Sequence, residues 1–187
     1  MKAIRFHDYG GPEVMKLEEI PQPAIKDDEI LVRVVAMGVN PVDWKIREGH
    51  VKERIKIPLP AIPGGDISGV VERAGAAVKG LAVAQPVFAY IGLIGAYSQY
   101  VAIKADFAAP KPGNMDHLHA ASVPLAALTA WQALYDKGGL KSGQRVLVHA
   151  AAGGVGGFAV QIARNAGAEV VGTCSPNNAD YVRGLGA

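Results

Sequence analysis

The chain has 187 residues, half of them apolar and 19% charged, with a formal net charge of +2. That composition supports one or two domains with buried cores. It holds no run of about five or six like charges, which argues against nucleic acid or an anionic membrane as partner. One cysteine, Cys174, excludes an internal disulfide and reads as a packing thiol beside apolar strand residues. No stretch of roughly 18 consecutive apolar residues is present to span a membrane. The start, Met1-Lys2-Ala3-Ile4-Arg5-Phe6-His7, lacks the apolar core of a signal peptide, so the expected setting is soluble, reducing and cytoplasmic.

Along residues 1 to 112, short apolar runs alternate with Pro and Gly. Ile30 to Ala36, Ile67 to Glu72 and Pro86 to Tyr90 read as strands of an irregular, mostly β domain. One helical turn is expected at Pro41 to Glu48, with Asn40 as its cap and Pro41 at its first position. From Asp116 the texture becomes Ala- and Leu-rich. A helix is expected in His117 to Ala127, ended or kinked by Pro124, and a second from Leu128 to Tyr135, stopped by Gly138-Gly139. Arg145 to Ala150 then reads as a short buried strand, Val155 to Ala166 as a helix, Glu169 to Thr173 as a second strand, and Asn178 to Leu185 as a last helix. Strands and helices in this alternation predict a parallel βαβ unit.

The turn after the first of these strands is Ala150-Ala151-Ala152-Gly153-Gly154-Val155-Gly156-Gly157. In a dinucleotide-binding fingerprint, Gly153 would let the backbone approach a pyrophosphate and Gly156 would let helix and strand lie close, with Ala151 at the first glycine position. The flanking strand, helix and second strand are the context that makes such a triplet meaningful. Ala152, Gly153, Gly154, Val155 and Gly156 are therefore the candidate pyrophosphate contacts, facing the positive end of the helix. The second strand ends in Thr173-Cys174-Ser175-Pro176-Asn177-Asn178. No acid stands there to take ribose hydroxyls and repel a 2′-phosphate, whereas Thr173, Ser175 and Asn178 can hydrogen-bond one, so NADPH is favoured over NADH.

Six ordered blocks carry a resemblance across the whole chain: Met1-Lys2-Ala3-Ile4 with Tyr9-Gly10-Gly11-Pro12-Glu13-Val14; Gly38 to Gly49; Ile62 to Val71; Gly95 to Val101; Leu125 to Trp131; and the glycine loop. In these the sequence resembles the medium-chain dehydrogenase/reductase superfamily, within it the zinc-free quinone oxidoreductase and alkenal/enone reductase branch. The resemblance implies a mixed fold: an N-terminal GroES-like β domain over residues 1–122, then the first part of a Rossmann α/β domain with a parallel sheet over 123–187, with the active-site cleft between them. It also implies that the chain is truncated, because the family's later strands and C-terminal segment find no counterpart before Ala187.

The zinc-dependent members carry Cys where this chain has Asn40 and a His-Glu pair where it has Gly65-Asp66. Asn and Gly cannot supply the three protein ligands of a catalytic zinc, so no metal is expected. Without that Lewis acid, alcohol oxidation is disfavoured and reduction of an already electrophilic substrate is favoured, a quinone or an alkene conjugated to a carbonyl. Asn40 would bond a substrate oxygen or simply cap its helix. Asp43 and Lys45 share the turn that lines the nicotinamide end in resembling enzymes, Lys45 bonding the ribose or stabilising developing charge. Thr129 matches a position near the carboxamide, against the alternative of bonding back to its own helix. Asp66 reads as a structural carboxylate, Tyr90 as reaching the cleft or packing in the core, and His149 as a partly buried structural residue. Some quinone reductases of the family carry tyrosines at the places of Lys45 and Val51, and their absence moves the likeness toward the enone reductases. Alternatives are an enoyl-thioester reductase and a non-catalytic crystallin-like or binding relative. An RNA-binding role finds no support in the charge. A homodimer is left open for the full-length protein.

Overall fold

The computed structural model describes residues 1–187. Its backbone divides into two compact units, Met1–Pro124 and Leu125–Ala187. The sequence reading draws its line after Ser122.

In the first unit, β1 (Lys2–Phe6) pairs antiparallel with β2 (Met15–Glu19). A five-stranded antiparallel sheet runs in the order β6 (Tyr100–Lys104), β3 (Glu29–Met37), β4 (Asp66–Ala74), β5 (Pro86–Tyr90) and β7 (Ala108–Pro110). The apolar runs legible in the sequence are its central strands. Ile30, Val32, Ile67, Val71 and Val87 close one core. Phe6, Ile46 and Ala61 form a second, smaller one beneath α1 (Pro41–Arg47). The register of β3 on β4 shifts at Leu31/Val32 and again at Val34/Ala36, bulges that bend the strand.

α2 (His117–Ala121) is capped by the Asp116 carboxylate, which accepts the His119 N–H at 2.8 Å. Here the structure corrects the sequence reading. The break expected at Pro124 is present, α2 ending at Ala121, but Pro124 itself opens the next helix, α3 (Pro124–Trp131), four residues before the expected start at Leu128, because a missing N–H costs nothing in a first turn. The helical run that α3 begins stops at Gly138, as expected, but its last turn is not α-helical. It widens into a π turn over Gln132–Lys137, in which the Gly138 N–H donates to the Ala133 carbonyl five residues back, at 2.9 Å.

In the second unit, β8 (Arg145–Val148) lies parallel to β9 (Glu169–Gly172), with Val148 opposite Gly172. α4 (Gly154–Asn165) connects them, packing Ala159, Val160 and Ala163 against Val148 and Val170. A short turn at Pro176–Asn178 leads into α5 (Ala179–Gly184). The expected burial of β8 is corrected: Val148 alone is buried, while Leu147 is 56% exposed and, on β9, Val171 is 45% exposed. Successive strand residues point to opposite faces, and helix α4 covers only one of them. A groove of about 700 Å³ runs along β8 past Leu134, Val146 and Leu147.

Candidate functional site

In the first unit the candidate residues gather around the start of α1. Asn40 holds the cap position with extended backbone (φ −120°, ψ 153°), and the Asp43 carboxylate accepts its backbone N–H at 2.8 Å, the reciprocal half of a capping box. The Asn40 side-chain amide donates to Asp66 Oδ2 at 2.9 Å. Asp66 is buried at the start of β4. Asn40 thus couples α1 to the central sheet, and its amide nitrogen keeps a second hydrogen for a ligand.

Asp43 is 6% exposed. Its Oδ2 accepts from both Asn40 and the Tyr97 hydroxyl, the latter at 3.1 Å, while its Oδ1 is buried without a hydrogen-bond partner. Burial raises its pKa above the ordinary carboxylate value against the opposing pull of those two donors. Burial, then the charge of Asp43, pushes the Tyr97 hydroxyl well up as well, so it stays a donor. Tyr90 is raised by burial and then by the carboxylates of Asp66 and Asp43.

Asn40 and Asp43 line a chamber of about 270 Å³ walled by Met15, Val39, Trp44, Arg47, Pro63 and Tyr97. Arg47, itself buried, donates to the Gly10 carbonyl at 3.0 Å and to Glu48 at 2.7 Å. Lys45 is not brought to this chamber. It stands on the exposed side of α1, its ammonium 5.6 Å from the centre of the Trp44 ring. Tyr97 is the member that residue-by-residue reading missed. Its signal was the Gly95-Ala96-Tyr97 turn, which shows an aromatic residue but not its partner across 54 positions of chain.

In the second unit, a Cβ on Gly156 would lie 2.3 Å from the Ala150 carbonyl oxygen and 2.8 Å from the Ala151 Cα. Only glycine lets α4 come this close to the strand end. Gly154 meets nothing within 4 Å. Gly153, Gly154 and Val155 are exposed. At a helix start the first N–H groups have no carbonyl one turn back, which leaves those of Gly154, Val155 and Gly156 without a partner inside α4. Ala152 lies half-buried in the turn before them.

At the end of β9, Thr173 Oγ1 accepts the Ala150 N–H at 3.3 Å and lies 3.1 Å from His149 Nδ1. His149 is exposed rather than partly buried, which corrects its sequence reading. Ser175 Oγ accepts from Asn178 Nδ2 at 3.1 Å, and both residues are exposed. Arg183, on the following helix, donates to Asp180 at 2.8 Å. Thr129 is exposed and its hydroxyl donates back to the Leu125 carbonyl at 2.7 Å, leaving it an acceptor only.

Residues 26–113 match the alcohol dehydrogenase GroES-like domain. Over its whole length the chain is 38% identical to a quinone-oxidoreductase homolog, chloroplastic, of Spinacia oleracea, covering 59% of that protein. It is 39% identical, again over all of this chain, to the NADPH-dependent alkenal/one oxidoreductase, chloroplastic, of Arabidopsis thaliana, covering 51% of it. Among solved structures, an Escherichia coli quinone oxidoreductase complexed with NADPH superposes with a TM-score of 0.87 at 34% identity, over 100% of this chain and 57% of that one. The chain therefore spans between half and three-fifths of the length of these relatives. The cytoplasmic setting drawn from the N-terminus is corrected, since the spinach and Arabidopsis relatives are named as chloroplastic. No helix is long and apolar enough to cross a membrane. The domain match and the superposition agree with the six ordered sequence blocks: the chain carries an alcohol dehydrogenase GroES-like domain and is similar over its whole length to quinone oxidoreductases and alkenal reductases of the medium-chain dehydrogenase/reductase superfamily.

Proposed function

We propose that this chain carries the pyrophosphate loop and substrate-side residues of an NADPH-dependent, zinc-independent reductase of quinones or α,β-unsaturated carbonyls. One observation carries the reading: a glycine loop whose Gly156 is pressed against the Ala150 carbonyl at the start of α4, with Gly153 to Val155 exposed beside it, followed by a strand end with hydroxyls and no acid. Those groups suit the dinucleotide. Gly154, Val155 and Gly156 would hold its pyrophosphate through backbone N–H, with Ala152 and Gly153 letting it approach. Thr173, Ser175 and Asn178 would bond a 2′-phosphate, and Thr129 would accept from the carboxamide. When bound, NADPH supplies a hydride.

Zinc does not suit the donors present. Asn40 is an amide committed to Asp66, Gly65 has no side chain, and a Cβ there would lie 2.2 Å from the Gly92 carbonyl oxygen. No three His, Cys, Asp or Glu residues cluster to hold a metal. On this reading the protein binds, orients and excludes water. Asn40 offers its second amide N–H to the substrate oxygen, Asp43 fixes Asn40, and Lys45 reaches a ribose hydroxyl from the exposed side of α1.

The test is calorimetric binding of NADPH and NADH to the chain, together with NADPH consumption in the presence of a small quinone, an unsaturated ketone, and, with NADP⁺, an alcohol. The expected result is NADPH binding tighter by about tenfold, one charge-assisted bond, and turnover of quinone or enone that a chelator leaves intact. Turnover of the alcohol alone, or its loss to a chelator, would overturn the reading.

A further inference from the structure

The hydroxyl of Thr173 meets two groups from the end of the neighbouring strand. It accepts the Ala150 N–H at 3.3 Å, and His149 Nδ1 lies 3.1 Å away. Ala150 holds a left-handed backbone, φ 52°, which residues other than glycine rarely adopt. A hydroxyl has one hydrogen and two lone pairs. If Nδ1 is bare, Thr173 spends its hydrogen on the ring and keeps none for a ligand. If Nδ1 carries a proton, the ring donates to Thr173, both lone pairs are filled, and the hydroxyl hydrogen is left without a protein partner. Both side chains are exposed, so a ligand can reach them. The ionisable groups on the surrounding elements are few. Arg145 and Glu169 pair with each other at the starting ends of β8 and β9, and Arg183 pairs with Asp180 on α5. Cys174 follows Thr173, Tyr181 lies on α5, Tyr135, Asp136 and Lys137 lie on the π turn, and α4 has no ionisable group before Arg164. The imidazole bonds to none of these, and Thr173 is its one partner.

We propose that His149 is a specificity-determining residue for the 2′-phosphate of the dinucleotide, acting in its protonated form. The imidazolium sets a positive charge beside Thr173. By donating to Oγ1 it also frees the threonine hydrogen for a phosphate oxygen. No Lys or Arg stands between Thr173 and Asn178, so His149 supplies the charge that the strand end lacks. A phosphomonoester gains a charge-assisted bond from this pair, whereas a ribose hydroxyl gains only a neutral one. Protonation and phosphate binding favour each other, because a nearby dianion stabilises the charged ring. Preference for the phosphorylated dinucleotide therefore grows as pH falls through the range in which imidazoles charge. The assignment rests on the reading of the glycine loop and strand end as a dinucleotide site.

NADP⁺ and NAD⁺ differ only in that phosphate. Their dissociation constants from the full chain are measured by calorimetry at about pH 8 and about pH 6, on either side of the ordinary imidazole range. The phosphate takes up its own proton near pH 6, which alone would lower the NADP⁺ preference about twofold on acidification. The expected result has the opposite sign: the preference rises about threefold, as one charge-assisted bond outweighs that loss. His149→Gln keeps a polar side chain without the charge. It should bind NAD⁺ as before and show only the twofold fall. In proton NMR at about pH 7, where an imidazole is poised to charge, NADP⁺ should move the His149 ring-carbon protons towards their protonated positions and NAD⁺ should not. A preference that fails to rise on acidification, a rise that persists in His149→Gln, or His149 protons that respond alike to both nucleotides would each overturn the proposal and leave the dinucleotide reading standing. Binding of neither nucleotide would overturn both.

Discussion

Single atoms decide the behaviour of the glycine loop. Gly156 and Gly154 sit two positions apart and look equivalent as letters, yet one has a backbone oxygen where a Cβ would go and the other has open space. Gly156→Ala must push α4 away from the strand end and is expected to cost about 1–3 kcal/mol in urea unfolding. Gly154→Ala meets no obstacle, and in a helix alanine is better than glycine by roughly 0.5–1 kcal/mol, so stability should hold or rise. Both should weaken NADPH in calorimetry, the first by moving the N–H donors and the second by filling space in front of them. That opposition of stability and affinity separates a packing glycine from a ligand-facing one. The two roles were partly legible beforehand, because the spacing within Gly153-Gly154-Val155-Gly156 assigns close packing to the last glycine. The partners of Asp43 were not. A capping relation three residues away can be read from sequence, whereas its bonds to Tyr97 and, through Asn40, to Asp66 join positions that only the folded sheet brings together.

At the scale of elements, α2 is fastened to the first unit by an arrangement with a pH signature. His117 Nδ1 lies 2.7 Å from the hydroxyl of Ser68, a fully buried residue of β4, and that hydroxyl also donates to the Val87 carbonyl of β5 at 3.0 Å. Burial, then the positive charge of Lys111, holds the His117 pKa below its ordinary value. A base whose folded pKa is depressed takes up its proton more readily when unfolded, so stability falls as pH drops from about 6.5 towards the folded value, then levels. A thermal-melt series should show that loss, and His117→Gln should flatten it; an unchanged slope in the variant would place its origin elsewhere. Two further carboxylates, Glu18 and Asp116, are lowered by hydrogen bonds with His7 and His119, and their losses come at more acid pH, below the ordinary carboxylate value. The sequence marked α2 by composition, but the tie to Ser68 spans 49 residues and left no local trace. The second role of Pro124 was missed for a related reason: a proline that breaks one helix can also open the next, and only the intervening turn shows it.

Across the whole molecule, apolar exposure is distributed unevenly. In the first unit, Ile67 and Val71 are sealed by strands on both sides, while β8 and β9 leave Leu147 and Val171 about half open. Ile67→Ala is therefore expected to cost about 2–5 kcal/mol. Leu147→Lys should change stability by only about 0.5 kcal/mol and should reduce self-association in light scattering, since it breaks an open apolar face. Strand existence was legible from the runs of Val, Ile and Leu; their burial was not, because it depends on what covers each face. The molecule also carries exactly two tryptophans, and they fall one to each unit. Trp44 lies edge-on to His50 at 5.4 Å, and Trp131 lies 4.4 Å from Tyr135 at the entrance to the π turn. Each unit thus holds its own intrinsic fluorophore in a distinct ring environment. Two single-tryptophan proteins, Trp44→Phe and Trp131→Phe, would report the melting of one half each, and coincident or separated curves would show whether the halves unfold as one cooperative body or as two.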